Sequence, residues 1–146
     1  MPTPKLFGVD IPFVKHLGFD LLLFEGGQSC IEYLPKAEHQ NSFSVAHGGA
    51  LMTLLDVTMA SAARSIEPQM GVVTIEMKTM FMQPAQGLLT GKGRLMHRTA
   101  SMAFTEATVY DAEGRACAHA TGTFKYVKRR PAASSGGEPA NLISTD

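Results

Sequence analysis

The feature that most limits what this chain can become is the stretch from Gly48 to Ala63. It is apolar or small at nearly every position, and Asp56 is the one ionisable side chain between His47 and Arg64. Leu51, Leu54, Leu55, Thr58, Met59 and Ala62 recur at helical spacing and form one stripe. The opposite side shows Met52, Val57, Ala60 and Ala63 where a solvated helix would carry charges. The stretch carries Asp56 and falls short of the roughly 20 apolar residues that span a bilayer. It therefore predicts one long helix, ending before Pro68 and wrapped almost completely by the rest of the fold.

The wrapping material is legible on both sides. Residues Val9 to Leu17 place Ile11, Val14 and Leu17 at helical spacing, with Pro12 near the start where a missing N–H costs little. Two apolar runs, Phe19 to Phe24 and Ser29 to Leu34, flank Glu25-Gly26-Gly27-Gln28, a turn of the kind that joins hairpin strands. After the helix come strand-like runs at Gly71 to Gln83, Gly87 to His97 and Ser101 to Tyr110. The last turns through Asp111 to Gly114 into a fourth, Arg115 to Val127. Phe104, Glu106, Thr108 and Tyr110 alternate with Thr105, Ala107 and Val109, so an antiparallel meander is expected. Hairpin, central helix and strands together imply an α+β fold in which a curved antiparallel sheet packs around one helix.

With 146 residues, one domain is expected. It spans residues 1–127, followed by a flexible tail over 128–146 rich in Pro, Ala, Ser and Gly. Thirteen basic and thirteen acidic side chains cancel, so no global field attracts nucleic acid or an anionic membrane. Cys30 and Cys117 show no CxxC spacing and no charged-then-apolar leader opens the chain at Met1, so a cytoplasmic location is expected. The histidines show no metal-ligand spacing such as HExxH, and GxSxG does not occur, so neither a metal nor a serine hydrolase is expected.

The chemistry centres on two features. A carboxylate inside a buried helix must be paired, shifted in pKa or placed at a cleft, and a cleft makes it a candidate site. A bond to a neighbouring hydroxyl, or a solvated seam, explains Asp56 equally well at this point. His47-Gly48-Gly49 stands where a loop becomes the helix; glycines there let the backbone approach a ligand while unpaired N–H groups point outward. The helix dipole favours negative charge developing on a carbonyl oxygen held at that point, the oxyanion logic of acyl transfer. An ordinary glycine-rich helix start is the plain alternative.

Asn41, His47-Gly48-Gly49, Asp56, Thr74-Ile75-Glu76-Met77 and Phe81-Met82-Gln83-Pro84-Ala85 together resemble the phenylacetyl-CoA thioesterase (PaaI-like) branch of the hotdog superfamily, over roughly Pro12 to Val127. The resemblance implies a hotdog fold and an acyl-CoA thioesterase that uses no metal or bound cofactor. It also implies homodimers that pair into homotetramers, with each site between the helix of one chain and a strand of the other. Carried over residue by residue, it makes Gly48 N–H the oxyanion donor and gives His47 the shaping of that loop. Asn41 would fix the carbonyl or a water, and Asp56 would be nucleophile or general base. Thr74 would reach the site from the partner chain. Strict alternation, however, sets Thr74 on one face with Glu76 and Lys78, so its inward aim requires a bulge. Ser44 stands where relatives often carry glycine.

For substrate contacts, Gly49, Met52 and Met59 are expected to line the site, the methionines flanking Asp56 at helical spacing. Arg98 is preferred over Lys92, Arg94 and His97 as the phosphate contact for coenzyme A, while Lys128-Arg129-Arg130 is read as solvated charge outside the site. The acyl group, aryl or medium-chain, does not follow from these residues. Two other readings share the fold: a hydratase or dehydratase recruiting His47 as base, and a non-catalytic acyl-CoA-binding module.

Overall fold

The computed structural model describes residues 9–129 and 142–143. Helix α1 (Pro12–Leu17) begins at its proline and ends at Gly18 in the left-handed region. It is shorter at its start than the periodicity from Val9 suggested. Strands β1 (Asp20–Glu25) and β2 (Gln28–Tyr33) form the expected hairpin. Gly26 and Gly27, at φ +60° and +81°, supply the positive dihedrals that a two-residue turn matching strand twist requires. A single 3-10 turn (Ala37–His39) leads through a loop into α2 (Gly48–Arg64), the long helix. Strands β3 (Gly71–Phe81), β4 (Leu89–Arg98), β5 (Met102–Tyr110) and β6 (Ala116–Arg129) follow. The tail expected over 128–146 lies largely outside the described residues; Leu142–Ile143 forms a short β7 paired with Lys128 and Arg129.

The sheet is antiparallel and curves around α2, with the order β1-β2-β4-β5-β6-β3. This is the hotdog fold. The order corrects one expectation: β4, β5 and β6 form a meander, but β3 does not open it. It pairs with β6 at the far edge, and β2 takes the place beside β4. Alternation of apolar residues decides which face of a strand is buried and says nothing about which strand lies next to it. The chain between β3 and β4 crosses the open end of the sheet, where Met82 and Gln83 donate to Cys117 O and Ala46 donates to Ala85 O.

The predicted stripe of α2 is the core. Leu54, Leu55, Thr58, Met59 and Ala62 are fully buried beneath the sheet, and burying each large apolar chain contributes about 1.5–3 kcal/mol. Small residues on β4 allow the close approach. A Cβ at Gly93 would stand 2.6 Å from Ser29 Oγ and 2.7 Å from Thr58 O, both part of a buried hydrogen bond from Ser29 to the helix backbone. Gly93→Ala is therefore expected to cost about 1–3 kcal/mol through overpacking. Urea unfolding measures it, and an unchanged midpoint would mean that β4 does not seat so tightly on the helix.

The expectation of nearly complete wrapping is also corrected. Met52 is 37% exposed, and Asp56, Val57 and Ala60 are half-buried. This side of α2 faces β3 across a cavity and is not packed directly beneath the sheet. Among the described residues no helix is long and apolar enough to cross a membrane.

Candidate active site

The cavity beside α2 measures about 460 Å³. Met52, Asp56, Val57 and Ala60 of α2 form its floor, Val72, Thr74 and Met77 of β3 one wall, Phe124 of β6 another, and Ile11, Phe13 and Val14 around α1 its cover. Asp56 is its one carboxylate, and Thr74 Oγ1 donates to Asp56 Oδ1 at 2.6 Å. Burial raises the Asp56 carboxyl above the ordinary carboxylate value, opposed in part by the Thr74 bond.

Thr74 reaches this position because β3 contains a bulge. Thr74 pairs with Phe124 and Glu76 with Thr123, so Ile75 is the extra residue. The phase of the strand changes there: Val72, Thr74 and Met77 line the cavity, while Glu76 turns outward to accept from Thr123 Oγ1. The resemblance implied that Thr74 would arrive from a partner chain. It instead bonds the Asp56 of its own chain, since the bulge brings β3 over the helix of the same protomer.

The helix start forms a separate concavity with Asn41, Phe43, Gly48, Leu51, Phe81 and Pro84 among its walls. His47 is the N-cap, and its Nδ1 accepts from Gly49 N–H at 2.8 Å. Gly49 N–H is thereby used within the loop, whereas Gly48 N–H has no acceptor among the described residues, and Gly48 lines this concavity. Asn41 Oδ1 accepts from Phe43 and Val45 N–H, and its Nδ2 has no acceptor among the described residues. Ser44 occupies the left-handed region at φ +60°, a conformation that glycine adopts without a Cβ penalty. Ser44→Gly is expected to raise stability by up to about 1 kcal/mol, seen as a higher denaturation midpoint at constant m. A lower midpoint would show that the serine is not strained.

Three of the roles expected from the sequence are reassigned by the structure. Met59 is fully buried, its Sδ and Cε pressed against the space left by Gly122, and it fills core. Asp56, Val57, Ala60 and Arg64 share the cavity face, from which Met59 is turned away onto the sheet. Arg98 is occupied: its guanidinium bonds Glu67 at 3.0 Å and the carbonyls of Thr99 and Ala100, and lies 4.5 Å above the Tyr126 ring. It pins a turn to the chain beyond α2. Arg129, read as solvated charge, lines the cavity with Arg64. Sequence reading also missed Phe81, whose ring covers Gly48, and the apolar cover from α1. The sequence marks the elements these residues stand on, but which cavity they reach depends on how distant elements pack. His47 directs its Nδ1 to the Gly49 N–H and not to a carboxylate, the partner that a histidine base for proton transfer would need.

A hotdog fold with a lone acid on its central helix and a donor-rich helix start has the groups that chemistry on an acyl carbonyl uses. Residues 43–118 match the family model described as the thioesterase superfamily, a span that includes Gly48, Asp56 and Thr74. "Putative esterase SSO2140" of Saccharolobus solfataricus is 30% identical over 116 residues, covering 79% of this chain and 82% of that protein. The chain belongs to the thioesterase superfamily. Among solved structures, the conserved protein PA5202 of Pseudomonas aeruginosa is 27% identical, with a TM-score of 0.78 over 84% of this chain and 99% of the other. The PaaI protein of the E. coli phenylacetic acid degradation operon shares the fold at TM-score 0.74 and 20% identity, over 80% and 84% of the two chains.

Proposed function

We propose that this protein hydrolyses an acyl-CoA thioester to a free acid and coenzyme A, at a site completed by a second copy of the chain. The observation that carries the reading is Asp56, a carboxylate held by Thr74 at the floor of an apolar cavity that fits an acyl group. Attack on the thioester by the carboxylate itself and activation of a water both demand an ionised Asp56. Either route ends with the thiol leaving and a hydroxyl added to the acyl carbon.

The oxyanion donor has to come from elsewhere. Gly48 and Asp56 stand eight residues apart on one helix, which separates them by about 12 Å along its axis. A carbonyl within hydrogen-bond reach of Gly48 N–H is therefore out of reach of Asp56 in the same protomer. The edge strand β3 supplies the means of assembly: among the described residues it has no neighbour beyond it, and Ile75, Met80 and Phe81 are at least half exposed along it. Pairing β3 with its copy would extend the sheet, cover these side chains and bring the helix start of one protomer toward the Asp56 cavity of the other. Pairing of such dimers into tetramers, and a cytoplasmic setting, complete the reading.

Thiol release from aryl- and straight-chain acyl-CoAs tests it directly. Turnover by the wild type that disappears in Asp56→Asn supports hydrolysis. Binding of acyl-CoA with no release across the panel would favour a non-catalytic binding module.

A further inference from the structure

The cavity beside Asp56 does not end in hydrocarbon. Its lining passes from Asp56 through Val57, Ala60, Val72 and Phe124 to Arg64 and Arg129. Arg64 follows Asp56 by eight residues, at most roughly 12 Å along the helix axis. It is only 6% exposed and is held in place, its Nε donating to Met70 O at 3.3 Å and its guanidinium lying 5.6 Å from the Phe24 ring centroid. Burial and the charge of Arg129 lower it to about 10, so the two guanidiniums repel one another across the end of the cavity.

Arg129 closes the same end from β6. The Gly71 backbone makes room for it: a Cβ there would meet Arg129 Nε at 3.0 Å. That Nε is buried and has no hydrogen-bond partner among the described residues. A buried donor left unmatched costs about 1–3 kcal/mol, and two cations facing one cavity add their repulsion. A carboxylate seated in the cavity against the terminal nitrogens of Arg129, beside Arg64, would reduce that repulsion, and guanidinium groups match carboxylates in shape as well as sign.

Resting on the thioesterase reading above, we infer that the acyl group carries a carboxylate at its far end, so that the substrate class is the mono-CoA thioester of a medium-length dicarboxylic acid. The thioester lies at Asp56, the methylene chain crosses the apolar middle of the cavity, and the terminal carboxylate binds Arg129 and Arg64.

The experiment compares hexanoyl-CoA with adipoyl-CoA, and octanoyl-CoA with suberoyl-CoA, by thiol release in the wild type, Arg129→Met and Arg129→Lys. Arg129 is chosen because it lies at the end of β6, where substitution spares the core. The wild type is expected to show a kcat/KM ratio favouring the dicarboxylic substrate by on the order of tenfold or more. Arg129→Met should lower that ratio by a similar factor, and Arg129→Lys should fall between them. A wild-type ratio at or below one, or a ratio unmoved in Arg129→Met, overturns the inference while hydrolysis of the plain chains upholds the thioesterase reading. Release from none of the four withdraws that reading and this inference with it.

Discussion

Asp56→Asn is expected to lower thioester hydrolysis by about 10²–10⁴-fold, the range for loss of a positioned base, while leaving the fold intact and raising its stability. Asparagine fills nearly the same volume and still offers Thr74 an acceptor, so the cavity keeps its shape. What disappears is the charge. Because burial raises the Asp56 carboxyl in the folded state, the folded protein binds this proton more tightly than the unfolded chain does. Stability attributable to this group is therefore present at acid pH and is lost as pH rises through the raised value, so at neutral pH the ionised Asp56 is a net cost. Removing it should move Tm upward and flatten the dependence of stability on pH above the ordinary carboxylate value. The wild-type rate runs in the opposite direction, falling on the acid side as Asp56 takes up its proton. Near-normal turnover in Asp56→Asn would remove the carboxylate from the mechanism. A fall in Tm would mean that the charged carboxylate, and not merely an acceptor oxygen for Thr74, stabilises the fold.

Gly48→Pro is expected to be equally damaging to turnover for a different reason, and the two variants together test the composite site. Gly48 is the first residue of α2 after the His47 cap, the helical position that accommodates proline best. His47 at φ −61° and ψ 140° already has the extended conformation that a following proline requires. A Cβ at Gly48 meets Phe81 at 3.5 Å, an ordinary contact. The substitution thus removes one N–H and little else, and loss of one oxyanion donor lowers kcat by about 10²–10³-fold. If each site joins Gly48 of one protomer to Asp56 of the other, a mixed dimer of Gly48→Pro and Asp56→Asn contains one site with both lesions and one with neither. Co-expressed and purified as a heterodimer, it should recover about half of the wild-type rate per dimer, because one of its two sites carries both intact groups. Should the mixed dimer stay as inactive as its parents, donor and carboxylate would have to act within one chain.

Much of the fold was legible residue by residue. The burial of Leu54, Leu55, Thr58, Met59 and Ala62 follows from their helical spacing, and the turn at Gly26-Gly27 follows from the positive dihedrals that glycine alone adopts freely. Thr74 is the most telling case. Alternation placed it with Glu76 and Lys78, chemistry required it inward, and the bulge at Ile75 reconciles the two. A sequence can show that such a conflict exists, but the extra residue that resolves it is visible only in the register of β3 against β6.

The remainder depended on distance through space. The place of β3 beside β6 in preference to β4, the occupation of Arg98 by Glu67, and the burial of Met59 against Gly122 all join residues from separate elements. So does the meeting of Arg64 and Arg129 at one cavity. The sequence by itself determined a central helix with one buried stripe, a lone acid within it and a donor-rich helix start, because these are consequences of local periodicity and of the cost of burying charge. Only the tertiary structure decided that Thr74 serves its own Asp56 and that two arginines close the far end, because sheet curvature, which no local pattern encodes, selects which distant side chains share a space.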